Sequence, residues 1–261
     1  MRYLRLLVVQ LRVSALVAMQ YRADFVLDGF VEIFWMATAI IPLVVVFDAR
    51  PVIAGWTFGE ALLVMGWFTF LQGVLEGVIN PGLVTVVEHI RKGTLDFVLL
   101  KPADSQFLVS TARFLPWRSV NVLTAVAIFT WGFHVTGRGP TAGNIALATV
   151  TMAAAVVVLY SLWMLTVCAA FYVVRIDNLS QLFSAVFDAA RWPIGIFPRA
   201  VRLIFTFVVP LALMTTVPAE ALLGRLTPWQ LVGSIGGAAL AFAVARGVWQ
   251  VSIARYTSAG G

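Results

Sequence analysis

Apolar residues come in runs of about twenty along most of this chain, the length that carries a helix across ~30 Å of hydrocarbon. Five runs stand out: roughly 25–47, 57–79, 114–135, 145–173 and 229–254. Polar interruptions separate them, which predicts an all-α polytopic membrane protein rather than a soluble fold. The stretch between the last two runs follows a different pattern. There, Asp188, Arg191, Arg199 and Arg202 mix with apolar residues, and Pro193, Pro198, Pro210 and Pro218 break the run. Proline removes a helical hydrogen bond, so two straight spans do not fit. The pattern predicts a further span over about 179–198, the fifth of six in chain order. A re-entrant hairpin follows on the outer side over about 201–223, or alternatively an amphipathic helix and a kinked span with the same parity.

The first 22 residues read differently again. Arg2, Arg5 and Arg12 fall on one helical face, while Leu4, Leu7, Val8 and Leu11 cover much of the rest. That is the pattern of a helix lying in the membrane interface. Arginines recur through the segment and no uninterrupted apolar region leads to a small-residue cleavage site, so it does not read as a signal peptide.

Composition adds little to the fold but much to the orientation. The 261 residues are 61% hydrophobic and 11% charged, with a formal charge of +6. The arginines flank apolar spans instead of forming a basic face, so no nucleic-acid partner is implied and the lipid bilayer is the surrounding medium. With both termini in the cytoplasm, the inner segments hold twelve of the eighteen Lys and Arg residues, including Arg91, Lys92, Lys101, Arg113, Arg118 and Arg246. The other six lie outside or in the hairpin, an asymmetry that favours this orientation. Cys168 is the one cysteine and sits inside an apolar run, so neither a disulfide framework nor a thiolate metal site is available. His89 and His134 fall on opposite sides, and no metal site is indicated.

The longest inner loop, between spans two and three, concentrates charge: "IRKGTLDFVLLKP" at 90–102 holds Arg91, Lys92, Asp96 and Lys101. Pro81 and Gly82 are expected to end span two. A short helix then follows, supported by Glu88 three and four residues before Arg91 and Lys92 and stopped by Gly93, with Lys101-Pro102 closing the segment. Leu95, Phe97, Val98, Leu99 and Leu100 are too apolar for a loop that meets only water, so the membrane interface or another protein is expected to cover them.

"GTLDFVLLKP", together with "QYRADF", "RIDNL", "FPRAVRLIFTFVVP", "VPAEALLGRL" and "RGVWQVSIARYTSAGG" in that order, resembles permeases of ATP-binding-cassette (ABC) transporters of the type-2 exporter class. The resemblance is to a branch that includes drug and viologen exporters, and it spans essentially the whole chain as one permease domain, 1–261. It implies that 82–102 acts as a coupling loop, with Glu88, Arg91, Lys92, Gly93, Asp96, Lys101 and Pro102 as contacts for an ATPase. It also implies two ATP-binding subunits that carry ATP and Mg, no cofactor in this chain, a second permease chain, identical or related, and a bacterial cytoplasmic membrane.

The residues agree on one point. The two lysines precede Gly93 and Pro102, so no Gly-Lys-Ser or Gly-Lys-Thr phosphate loop is present, and energy from ATP would have to enter through a separate subunit. An ion-gradient transporter is the competing class, because Asp24, Asp28 and Glu32 recur every fourth residue at the start of span one. Asp24 and Asp28 lie near the interface, where Arg22 or water reaches them. Glu32, deeper, is a candidate for a pathway or gating role, with Glu76, Asp188 and Arg191, although Asp188 and Arg191, three apart, are more readily expected to neutralise each other. A membrane-embedded enzyme lacks its residues: no histidine cluster, nucleophile elbow or paired-histidine helix motif occurs. "GVLEG" and "GSIGG" set Gly73 and Gly77, and Gly233 and Gly237, four apart for close helix approach, within the chain or between subunits. Walls rich in Phe and Trp with few fixed charges fit a hydrophobic or amphipathic substrate.

Overall fold

A computed structural model describes residues 2–20, 22–172 and 177–256. Two helices open the chain, α1 (Arg2–Gln20) and α2 (Arg22–Ala49, with Pro42 inside it). A small antiparallel hairpin follows, β1 (Val52–Ile53) and β2 (Trp56–Thr57), the one departure from an all-helical chain among the described residues. Ala54 and Gly55 between them both take positive φ, 52° and 83°, the turn geometry whose twist suits two short strands.

α3 (Phe58–Val74) passes through a π-helical turn at Leu75–Ile79 into α4 (Asn80–Lys92), one helix of 35 residues. The expected break at Pro81–Gly82 does not occur. Pro81 lies in the first turn after the π segment, where the missing N–H and the ring are tolerated. Gly93 ends α4 in the left-handed conformation (φ 64°), its N–H reaching the His89 and Ile90 carbonyls. Two short helices, α5 (Asp96–Leu99) and α6 (Ser105–Ser110), and a 3₁₀ turn at Pro116–Arg118 lead to α7 (Ser119–Thr136). α8 (Ala142–Cys168) follows, started by Thr141, whose Oγ1 accepts the Asn144 N–H at 3.2 Å.

The proline-rich stretch is broken, as its composition demands. α9 (Asp177–Phe187) gives way to 3₁₀ turns at Asp188–Arg191 and Ile194–Ile196, so the helix expected over 179–198 is not continuous. α10 (Arg199–Phe207) then meets a π turn at Ala212–Thr216 running into α11 (Val217–Leu222), and the two parts are bent by 75°. α12 (Pro228–Ala254) completes the chain, capped by Thr227.

Four helices among the described residues are long and apolar enough to cross a membrane, or five if the bent pair counts as one: Gly29–Ala49, Phe58–Lys92, Ala142–Phe171 and Pro228–Ala254. The protein is therefore an all-α polytopic membrane protein in architecture. α3 sits at the centre. Its Gly59, Gly66 and Gly73 come every seventh residue, and a Cβ at each would meet Thr136, Phe129 or Asn121 of α7 at 2.8–2.9 Å. Gly73 and Gly77 thus serve packing within the chain. A Cβ at Gly233 would meet nothing within 4 Å and one at Gly237 would meet only Leu213.

Side-chain contacts define two ends of the bundle. At one, Glu60 meets Arg225, the Asn144 Nδ2 donates to the Leu222 carbonyl at 3.3 Å, and Gly195 lies against Ala54. At the other, Asp104 meets Arg246 and Trp249 meets Ser105.

Candidate functional site

Three features of the sequence converge on the end where Asp104 lies. α4 extends the central helix, and Gly93 turns the chain so that α5 and α6 fold back beside it. The His89 ring holds this corner through a 2.8 Å bond to Thr94 Oγ1. Leu95 and Val98 enter the core of the bundle, packed with residues such as Leu83 and Val86. The expectation that something outside the chain covers the whole apolar run is corrected here: the bundle itself covers Leu95 and Val98. Phe97 and Leu100 remain 69% and 80% exposed, beside exposed Arg91, Lys92, Lys101 and Pro102. Glu88 and Lys92 pair at 3.6 Å across an open surface, a contact worth a few tenths of a kcal/mol. The result is a platform: one face fixed in the core, the other carrying charge of both signs around two bare hydrophobic side chains.

Asp104, which no charge pattern along the chain marks out, ties this end of the bundle together. Its Oδ1 accepts the Phe107 N–H at 2.9 Å and caps α6. Both carboxylate oxygens meet the Arg246 guanidinium from α12, 142 residues on. That hydrogen bond is the leading cause that holds the Asp104 carboxyl below its ordinary range, against the opposing effect of burial. The Arg246 Nη1 donates also to Gln106 Oε1 at 2.9 Å, and Gln106 Nε2 donates to the Tyr160 hydroxyl of α8 at 2.9 Å. Tyr3 of α1 touches the same loop, its hydroxyl accepting the Asp104 N–H at 3.3 Å. "D-S-Q" before an apolar run is a helix-start signal; nothing in sequence order couples it to an arginine so far downstream.

A second site lies deeper, between α2, α3 and the 3₁₀ turn after α9. A cleft of about 360 Å³ is lined by Glu32, Trp35, Met36, Phe68, Gln72, Asp188 and Arg191, among others. Three of the four residues expected to serve a pathway or gate, Glu32, Asp188 and Arg191, share this cleft, and Glu76 adjoins it through Gln72, whose Nε2 donates to Glu76 Oε1 at 3.1 Å. Arg191 pairs with Asp188 at 2.9 Å and lies over the Phe68 ring, 5.2 Å from its centre. Glu32 and Glu76 converge on one guanidinium, that of Arg118 at the start of α7, with Glu76 Oε2 at 2.9 Å. Glu76 itself sits in the π turn. In the sequence, Arg118 counts only among the inner positive charges that set orientation. The side chains of Arg22, Asp24 and Asp28 and residue Arg175 lie outside the described residues.

A second hollow, about 590 Å³, opens at the opposite end between Phe47, Thr57, Glu60, Arg138, Asn144 and Arg225.

Comparison with known proteins gives a family. A family model described as ABC-2 family transporter protein matches residues 33–260. No curated protein and no solved structure matches the chain significantly. The match runs from the middle of α2 to the C-terminal end, well over half of the sequence: the chain belongs to the ABC-2 transporter family and is a multi-pass membrane permease of an ABC transporter.

Proposed function

We propose that this permease is an exporter subunit that moves a hydrophobic or amphipathic molecule, driven by ATP hydrolysed in separate subunits that dock on the platform at 82–102. The observation that carries the reading is the platform itself. Leu95 and Val98 anchor it in the bundle, so displacement of its outer face displaces the helices beneath. Phe97 and Leu100 offer contact area, while Glu88, Arg91, Lys92, Asp96, Lys101 and Pro102, turned by Gly93, supply register and partner choice. Association with an ABC ATPase is implied by the family. Two such subunits and a second permease chain, identical or related, complete the assembly in this reading, and ATP and Mg belong to those partners.

Six crossings fit this reading. The segment from α9 to Ile196 begins beyond α8 and reaches Ala54, and Leu222, past the 75° bend, lies at that same end of the bundle beside Asn144. A segment that starts and finishes at one end behaves as a re-entrant hairpin, and α12 then crosses back. With the platform in the cytoplasm, α1 lies in the inner interface, both termini are cytoplasmic, and the membrane is the bacterial inner one. The cleft beside α2 is the transport route, its Trp35, Met36, Met65 and Phe68 walls suiting an apolar or amphipathic molecule. The acids there are tied to guanidiniums, an arrangement of local neutralisation that gives the ion-gradient alternative little support.

The test is Arg91→Glu and Asp96→Lys beside Arg138→Glu at the far end, each co-expressed with candidate ATPases. ATPase co-purification falls severalfold in the first two and holds in the third. Equal co-purification in all three would mean the platform binds nothing. Reporters fused at the C-terminus and after Gly139 give the orientation: active inside and outside, respectively.

A further inference from the structure

The loop that carries the platform is bolted to helices remote from it in sequence. α6 is wedged between three elements. A Cβ at Gly82 of α4 would meet the Ser110 and Val109 carbonyl oxygens at 2.7 Å, so α4 and α6 are in backbone contact. On the α8 side, the Tyr160 hydroxyl bonds Ser110 Oγ at 2.7 Å and accepts from Gln106 Nε2, and Gln106 is almost wholly buried. On the α12 side, Arg246 grips Asp104 and Gln106, and fully buried Trp249 donates Nε1 to Ser105 Oγ at 3.2 Å.

The two contacts differ in kind. Backbone packing at Gly82 resists only compression, pushing α6 when α4 advances. The Asp104–Arg246 pair resists both pushing and pulling, because two donors meet two acceptors in a planar fork that fixes direction as well as distance. Tyr160 adds a second attachment through neutral hydrogen bonds, weaker by about half.

We propose that Asp104 and Arg246 are positioning residues that form the joint through which movement of the 82–102 platform is delivered to α12, with Gln106 and Tyr160 carrying part of it to α8. The inference rests on the platform reading above and adds a route. Motion entering at α4 reaches α8 and α12 through α6, in parallel with the continuous α3–α4 rod.

Spin-label distances test it in the complex of the permease with its ATPase, with and without trapping by ATP and vanadate, so that no transported substrate is needed. One label pair, Val84→Cys with Trp131→Cys, follows α4; another, Trp229→Cys with Leu123→Cys, follows the far end of α12. These four side chains are all exposed, and Cys168 is buried. In the parent protein both distances shift on trapping. In Asp104→Asn, which keeps an oxygen to cap α6, and in Arg246→Gln, the α4 shift persists and the α12 shift is lost. Arg246→Lys restores part of the α12 shift, and Tyr160→Phe, the gentlest change, leaves most of it. An α12 shift undiminished in Asp104→Asn and Arg246→Gln overturns the joint, as does a parent in which only α4 moves. Loss of both shifts together with poor recovery of the protein means a purely structural pair. A parent that binds an ATPase yet moves neither label pair, or binds none, defeats the platform reading instead.

Discussion

α2 and the continuous α3–α4 helix are both apolar enough to span a bilayer, and the span with the higher mean hydropathy, that of α2, is the less buried. About 67% of the most apolar stretch of α3–α4 is inside the bundle, against 11% for that of α2. In water that order would be perverse. In lipid it follows directly, because hydrocarbon replaces the core as the apolar surrounding and helix packing rests on shape instead of on hydrophobicity. α3 accordingly carries Gly59, Gly66 and Gly73 along its seam with α7, whereas α2 turns Phe30, Phe34, Trp35, Ile41 and Val45 outward. One helix is a fixed axis. The other leans on it over a cleft, held by Leu43 and Phe47 near one end and by the Glu32–Arg118 pair near the other.

The sharpest way to break this contrast is to crowd each helix equally. Gly66→Leu drives a side chain into the Phe129 ring, already 2.8 Å from a Cβ, at a cost of about 3 kcal/mol. Ala37→Leu on the exposed side of α2 costs next to nothing. Thermal melting in detergent followed by size-exclusion chromatography reads the difference, and equal melting points would make the axis no stiffer than its neighbour.

Removing the tether of α2 comes next. Arg118→Ala leaves the Glu32 and Glu76 carboxylates without their shared guanidinium. The three side chains are 18–28% exposed, so the loss is about 2 kcal/mol, below that of a wholly buried pair. Protease sensitivity in α2 should rise while that in α3 stays unchanged. A parallel rise in both would mean that the pair supports the whole bundle.

A smaller effect separates the two ends of the axis by pH. The folded Asp104 carboxyl sits below its ordinary range, so its contribution to stability is present in full near neutral pH and is lost as pH falls through the folded value. Asp104→Asn should flatten that part of the acid melting profile, by about 1 kcal/mol or less for a pair about a third open to solvent. A profile identical to the parent's would remove Asp104 from the acid response.

Smallest of all, Lys92→Ala, which takes a solvated partner from Glu88, should change stability by a few tenths of a kcal/mol while still disturbing ATPase capture. A large loss of stability there would mean that the platform edge is structural.

Much of this contrast was legible in the residues. Run lengths mark the long helices, and the Glu88, Lys92 and Gly93 spacing marks the helix and stop in the loop, because both are local. Three things were hidden. The helix runs on through Pro81 because a proline in the first turn after a π segment does not break it, which no local sequence signal shows. The split of the 95–100 run into Leu95 and Val98 inward and Phe97 and Leu100 outward depends on tertiary packing against Leu83 and Val86. Asp104–Arg246 and Glu32–Arg118 are set by how helices distant in sequence are placed, which charge counting by loop does not encode.

The π turn at Leu75–Ile79 acts as an offset in the register of a ruler. Gly77 packs against Leu115 and Arg118 and, five residues on, Gly82 packs against the α6 carbonyls; the π turn lies between them and holds one residue more than regular winding would. Regular winding through 75–79 with every residue kept would turn everything beyond it by about 100°, so the platform would face a different quarter of its surroundings although no residue in it had changed; deleting one residue there as well would turn it back. The direction in which the permease presents its docking face is therefore written in the match between residue count and winding at that one turn, and not only in the residues of the face itself.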